Sequence, residues 1–158
     1  MFESLLRRLT GTARPETLPA EDARLALAAL LVRAARINGD YSPPQVARIG
    51  RVLTTLYGLS APDAEALRER AEILEAEAPD TVRFTRAIKA ATALEDRARE
   101  LSALWEVILA DGERDAAEAG LMRLVANLLG ITDRDSALIR RQVAARLADG
   151  QAPDQNTL

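Results

Sequence analysis

The sequence has 158 residues, of which 48% are hydrophobic and 28% charged, and its formal net charge is -3. This length and these proportions are typical of one folded domain rather than of a disordered chain. The sequence contains neither cysteine nor histidine, which excludes disulfides, thiol nucleophiles, Cys/His zinc sites and a Ser-His-Asp triad. The net negative charge argues against a nucleic-acid partner, because phosphate contacts need clustered positive charge.

The apolar stretches are too short to cross a membrane. The longest uninterrupted one covers residues 25–32, whereas a membrane-spanning helix needs about 20 residues. The first nine residues interleave charged and apolar side chains, unlike a secretory signal. The sequence therefore predicts a cytoplasmic protein. Lys89 is the single lysine, and we attribute the resulting arginine excess to a G+C-rich genome rather than to phosphate or carboxylate recognition.

Apolar residues recur with a period of 3.6 along the chain, and no segment sustains strand-like alternation. The sequence thus predicts an all-α fold with about eight helices and no strands. In chain order, the predicted helices cover residues 2–9, 20–37, 43–57, 61–75, 81–93, 95–110, 119–129 and 132–147. A Gly/Thr/Pro-containing linker leads up to residue 19, and residues 149–158 are expected to form a disordered tail.

Local signals mark several helix ends. Ser42 and Gln45 frame a capping box with proline at the first helical position, Gly58 ends that helix, and Asp115 with Glu118 repeats the box. The helix after Asp115 is apolar on all sides except for Arg123 and Asn127. A helix of this kind is typical of the centre of a bundle, so we expect its neighbours to surround it.

An offset of 73 residues reveals an internal duplication. It aligns Asn38-Gly39-Asp40 with Asp111-Gly112-Glu113, Gln45 with Glu118, and Leu31 with Leu104, and after a one-residue slip Gly58 with Gly130. We therefore predict one domain over residues 20–148, built from two three-helix repeats (20–76 and 95–148) related by a pseudo-twofold axis. A connector helix over residues 81–93 would join them.

The loop of the second repeat is a candidate metal site. Asp111, Glu113, Asp115 and Glu118 place four carboxylates within eight residues, a density of oxygen ligands that suits Ca²⁺ or Mg²⁺. Asn38 and Asp40 are the weaker counterparts in the first loop. The second loop is not an EF-hand, since Ala116 and Met122 stand where that motif requires glycine and glutamate.

Other readings of these residues stay open. Helix capping explains Asp115 and Glu118 without a metal, which leaves Asp111 and Glu113 in a solvated loop. Paired carboxylates could also serve acid/base catalysis, but no base, nucleophile, cofactor motif or aromatic sugar platform accompanies them, so we expect no enzyme.

Two further segments have alternative roles. The basic residues Arg83, Arg86 and Lys89 would form a solvated face or contact an acidic partner. The first helix would lie on a membrane surface as a peripheral anchor, or dock on the bundle or on a second copy in a homodimer.

Certain residues resemble a known family. The segment Leu109-Ala110-Asp111-Gly112-Glu113, followed by Glu118 and an apolar helix, is similar to the D-G-x-x-x-x-x-E signature of the TerB (tellurite resistance protein B) family. The segment 84–88 and the pair Leu104-Trp105 resemble a bacterial TerB-like branch. The resemblance covers about residues 25–147, and the first repeat departs from the pattern at Asn38 and Gln45.

The resemblance implies an all-helical duplicated bundle, a role in bacterial tellurite and stress resistance, and an acidic metal-binding surface. A related domain is fused to J-domains in membrane-associated co-chaperones, which implies an adaptor role. We therefore expect a non-enzymatic TerB-like stress protein that binds a divalent cation, with Ca²⁺ and Mg²⁺ as the candidates. The alternative is a co-chaperone-like interaction module that binds an unidentified protein partner and no metal.

Overall fold

A computed structural model describes residues 20–37, 41–77, 81–110 and 116–151, which form seven α-helices and no strand. The helices are α1 (Ala20–Arg36), α2 (Pro43–Tyr57), α3 (Ala61–Glu77), α4 (Val82–Ala91), α5 (Leu94–Leu109), α6 (Ala116–Leu128) and α7 (Asp133–Gln151). The predicted all-α class is confirmed for these residues. The predicted helix over residues 2–9 lies outside them. Within the described ranges, no helix combines the length and the apolarity needed to cross a bilayer.

Local hydrogen bonds set the helix ends near the predicted positions. Ser42 and Gln45 form the predicted capping box, in which the backbone N–H of Ser42 donates to Oε1 of Gln45 over 3.4 Å. Gly58 ends α2 with φ of 64°, a left-handed conformation that glycine adopts without steric cost. The last helix continues to Gln151, so the predicted start of the tail at residue 149 is three residues too early. Once a helix is nucleated, each further residue adds one backbone hydrogen bond, which accounts for the extension of α7 by a few exposed residues.

Helix α1 lies at the centre of the bundle and packs against α2, α3, α4 and α5. Every side chain from Ala26 to Val32 is buried, and Ala34 and Ala35 are buried as well. The alanines on α1 carry only a methyl group, so neighbouring helices can approach its backbone closely on several sides. The leucines of the same helix supply most of the apolar area that these neighbours remove from water.

The prediction that the helix after Asp115 is central is wrong. Helix α6 contacts α4, α5 and α7 through one face, on which Met122, Val125 and Ala126 are buried. Its other face is in solvent, where Leu124 is 44% exposed. Apolar composition alone does not decide which helix becomes central, because this also depends on how many neighbours can reach it.

A partly buried polar cluster joins the end of α1 to α3 and α4. The guanidinium of Arg33 donates to Oε1 of Glu75 over 3.4 Å and to Oγ1 of Thr81 over 3.2 Å. It also lies over the ring of Phe84, 5.2 Å from the centroid. Together these contacts compensate for the partial burial of the positively charged Arg33 guanidinium near the end of α1.

Several local features match across the two predicted repeats. Gly58 and Gly130 both have positive φ, at 64° and 78°. The hydroxyls of Ser60 and Thr132 each accept a hydrogen bond from the backbone N–H three residues later, at 3.2 Å and 3.1 Å. Helices α1 and α5, the first of each repeat, contact one another, and α4 occupies the connector position. These matches agree with the predicted register, while the pseudo-twofold relation between the halves stays a prediction.

The central position of α1 predicts a specific order of mutational effects. Replacing Leu30 with alanine opens a cavity in the middle of the bundle and should lower the free energy of unfolding by about 2–5 kcal/mol. The same replacement at the half-exposed Leu124 should lower the free energy of unfolding by less than about 1 kcal/mol. Urea denaturation followed by circular dichroism measures both. A larger loss for Leu124→Ala would show that α6, and not α1, is the central helix.

Candidate functional site

The structure describes one of the six predicted metal ligands. Asp111, Glu113, Asp115, Asn38 and Asp40 lie outside the described residues. Glu118, the third residue of α6, has a side chain that is only 3% exposed. Among the described residues, no group of three or more acidic side chains is arranged to hold a metal ion. The metal site therefore stays a prediction that depends on the loop between α5 and α6.

Glu118 and its counterpart Gln45 share one environment. Gln45 is the third residue of α2 and is 5% exposed, and the side chain of Glu118 is buried at the same position of α6. Gln45 accepts a hydrogen bond from the residue that precedes its helix. The match between the two positions supports the capping interpretation of Glu118, which leaves Asp111, Glu113 and Asp115, outside the described residues, as the other candidate ligands of this repeat.

The structure also shows a cleft that the sequence did not predict, formed where α2, α5 and α7 meet. Its volume is about 680 Å³. Four arginines line it, and we call it the basic cleft: Arg48 and Arg51 from α2, Arg99 from α5 and Arg146 from α7. Its apolar lining comes from Val52, Leu56 and Ala103, and its polar lining from Thr55, Ser102, Glu106 and Gln142.

Positive charge in the basic cleft is weakly neutralised. Arg146 donates from Nη2 to Oγ of Ser102 over 2.9 Å, which holds its guanidinium at the cleft wall. Nη1 of Arg99 lies 3.9 Å from Oδ1 of Asp96, and both side chains of this ion pair are exposed. Within the described part of the chain, no carboxylate lies within 4.0 Å of Arg48, Arg51 or Arg146. The cleft thus concentrates positive charge on a chain whose net charge is negative.

The sequence reasoning missed this cleft for two reasons. The arginines come from three helices that are far apart in the chain, so no local motif contains them. The high arginine content was also attributed to genome composition, which gave no reason to single out four of them. The only local signal is the spacing of Arg48 and Arg51, which places both on one face of α2.

A smaller cleft of about 290 Å³ contains a buried carboxyl group. Glu100 is 5% exposed, and its Oε2 has no hydrogen-bond partner among the described residues. Burial, and after it the negative charge of Asp96, raise the pKa of Glu100 to about 7, although Arg97 and Arg99 act to lower it. Tyr57 borders the same cleft, and burial together with the negative charge of Glu100 raises the pKa of its hydroxyl.

A third depression, of about 880 Å³, runs between α2 and α3. It is mainly apolar, with Val46, Ala47, Gly50 and Ala64 in its lining. Tyr41 also lines it and donates a hydrogen bond from its hydroxyl to Oε1 of Glu72 over 2.8 Å. We call this depression the α2–α3 groove.

Comparison with known proteins gives one match. The family model described as Tellurite resistance protein TerB matches residues 24–141, which include α2 to α6, most of α1 and nearly half of α7. No curated protein and no solved structure matches the chain significantly. The matched range contains Glu118, Glu100 and three of the four arginines of the basic cleft, and Arg146 lies just beyond it.

The burial of Glu100 predicts a pH-dependent stability. The folded protein keeps a proton on Glu100 up to a pKa of about 7, whereas the unfolded chain releases it near 4.5. The free energy of unfolding of the wild type should therefore fall as the pH rises from about 4.5 to about 7. Above that pH, Glu100 should cause no further decrease. Glu100→Gln should raise the free energy of unfolding by on the order of 2 kcal/mol at alkaline pH, and by much less at acidic pH.

Urea denaturation at a series of pH values between about 5 and 8 measures this effect. Glu95→Gln is the control, because Glu95 lies exposed on the same helix. An effect of Glu100→Gln that does not change with pH would contradict a raised pKa for this carboxyl group.

Proposed function

The chain belongs to the TerB family, and we propose that it is a non-enzymatic, cytoplasmic binding protein of bacterial tellurite and stress resistance. The observation that carries this proposal is the match of the TerB family model to residues 24–141, well over half of the chain. The helical bundle agrees with it, since the described residues form helices throughout this range apart from short connections.

We further propose that the loop between α5 and α6 binds a divalent cation. The loop and the first turn of α6 contain Asp111, Glu113, Asp115 and Glu118, and hard cations such as Ca²⁺ and Mg²⁺ prefer carboxylate oxygens. The burial of Glu118 supports a division of roles, in which this residue stabilises the helix start and the loop carboxylates contact the ion.

The non-enzymatic role is a proposal that rests on composition and on the placement of Glu100. The full sequence lacks histidine and cysteine, which supply many general bases and nucleophiles. Glu100 does titrate near neutral pH, as a catalytic carboxyl group can. Its raised pKa follows from burial on the inner face of α5, beside Leu101 and Leu104, and helix packing accounts for it without a reaction.

A second candidate function is that of an interaction module with no metal site. In this case the acidic loop recognises a basic protein partner through charge complementarity. The observation that favours it is the α2–α3 groove, which offers mainly apolar surface between two helices and is bordered by Glu65 and Arg68. Apolar grooves with a charged border are typical of surfaces that bind helical segments.

Calorimetric titration of the purified chain with Ca²⁺, Mg²⁺ and Mn²⁺ separates the two functions. We expect the wild type to bind at least one of these ions with a Kd on the order of 10⁻⁴ to 10⁻³ M, because the loop supplies few ligands from the protein. Asp111→Asn combined with Glu113→Gln removes two of the charges and should weaken binding by about tenfold or more.

The matched control is Asp63→Asn combined with Glu65→Gln. It makes the same two substitutions at the same spacing, on exposed positions of α3. This variant should bind the ion as the wild type does. No heat of binding from the wild type would eliminate the metal function and leave the interaction module.

A further inference from the structure

We propose that the basic cleft between α2, α5 and α7 is a binding site for a small soluble molecule that carries two or more phosphate groups. This inference goes beyond the proposed function, since it concerns neither the acidic loop nor a cation. It rests on the convergence of Arg48, Arg51, Arg99 and Arg146 on one concave surface.

The shape of the cleft favours a small ligand. Its volume of about 680 Å³ lies within the range of roughly 300–1,000 Å³ that is usual for small-molecule sites. Its walls come from three helices that are distant in sequence, and the depression between them is partly open to solvent, with Arg51, Arg99 and Arg146 exposed. A compact ligand can contact the arginines of all three helices at once.

The charge of the cleft specifies an anion. Four guanidinium groups line it against the single carboxylate of Glu106. Like charges held together without counter-charges repel one another, and a bound anion relieves this repulsion. Arg48, Arg51 and Arg146 make no ion pair with the described carboxylates. Apart from Nη2 of Arg146, which donates to Ser102, their side-chain donors are available to such an anion.

The donor chemistry favours phosphate. Arginine presents paired N–H groups that match two phosphate oxygens, and it remains charged at any physiological pH. Arg48 and Arg51 are three residues apart on α2 and so lie on one helix face, while Arg99 and Arg146 face the cleft from α5 and α7. Four such groups carry more positive charge than one phosphate balances, which points to a diphosphate or a larger phosphorylated group.

The rest of the lining fits the organic part of the ligand. Val52, Leu56 and Ala103 offer apolar contact, and Thr55, Ser102 and Gln142 offer hydrogen-bonding groups. The overall net charge of -3 disfavours long polyanions, because a nucleic acid would also meet the acidic remainder of the surface. A compact ligand that fits inside the cleft avoids this repulsion.

Calorimetric titration with inorganic pyrophosphate and with ADP, in a buffer of about 0.1 M ionic strength with a chelator, tests the proposal. Omitting divalent cations keeps the result independent of the acidic loop. We expect the wild type to bind both probes with a Kd between about 1 μM and 1 mM. Arg48→Gln combined with Arg51→Gln should weaken binding by about tenfold or more, since two charge-assisted contacts are lost.

The control is Arg86→Gln combined with Arg123→Gln, which removes the same charge from exposed positions on α4 and α6 outside the cleft. It should bind within about twofold of the wild type, because remote charges are screened in solution. If circular dichroism shows that the α2 variant is unfolded, Arg99→Gln combined with Arg146→Gln provides the same test from α5 and α7.

Three results would overturn the proposal. The first is no binding of either probe to the wild type. The second is an equal loss of binding affinity in the cleft variant and in the control variant, which would indicate non-specific attraction of anions. The third is sedimentation with vesicles of phosphatidylglycerol and phosphatidylcholine that requires the cleft arginines, without binding of pyrophosphate or ADP, which would identify lipid headgroups as the ligand instead.

Discussion

The close packing of α1 against four neighbouring helices is the interaction on which the rest of the structure depends. Its side chains from Ala26 to Val32 are all buried, and this segment combines three alanines with four larger aliphatic residues. The small residues let helices approach, and the larger ones fill the space between them. Because α2, α3, α4 and α5 all contact α1, their relative positions follow from this one helix.

The positions of the charged groups follow from the same packing. The arginines of α2, α5 and α7 line the cleft where these helices meet, beside the buried Val52 and Ala103. Glu100 is an exception, since it is buried at the start of the core-facing part of α5, just before Leu101 and Leu104. Its carboxyl group keeps its proton up to nearly neutral pH because burial disfavours the charged form. The molecule thus combines an acidic loop sequence with a cationic cleft built by the bundle.

Much of the fold could be predicted because its signals are local. The capping box of Ser42 and Gln45 and the left-handed Gly58 needed only neighbouring residues, and both are present. The burial of Leu31 and Leu104 also followed from helical periodicity. The candidate metal site was different, because the predicted ligands are mostly loop residues and the structure describes only Glu118. The basic cleft could not be predicted, since Arg48 and Arg146 are brought together only by tertiary packing.

The sequence by itself determined that the chain is helical, where most of its helices begin and end, and which face of each helix is apolar. These properties depend on backbone hydrogen bonds and on spacing within a few turns, which neighbouring residues specify. The tertiary structure alone decided that α1 and not α6 is central, that four arginines share a cleft, and that Glu100 is buried with a raised pKa. Those outcomes depend on which distant segments of the chain come into contact. The burial of the Glu100 carboxyl group and the close approach of four arginines are properties of the packed bundle, and no single helix specifies them.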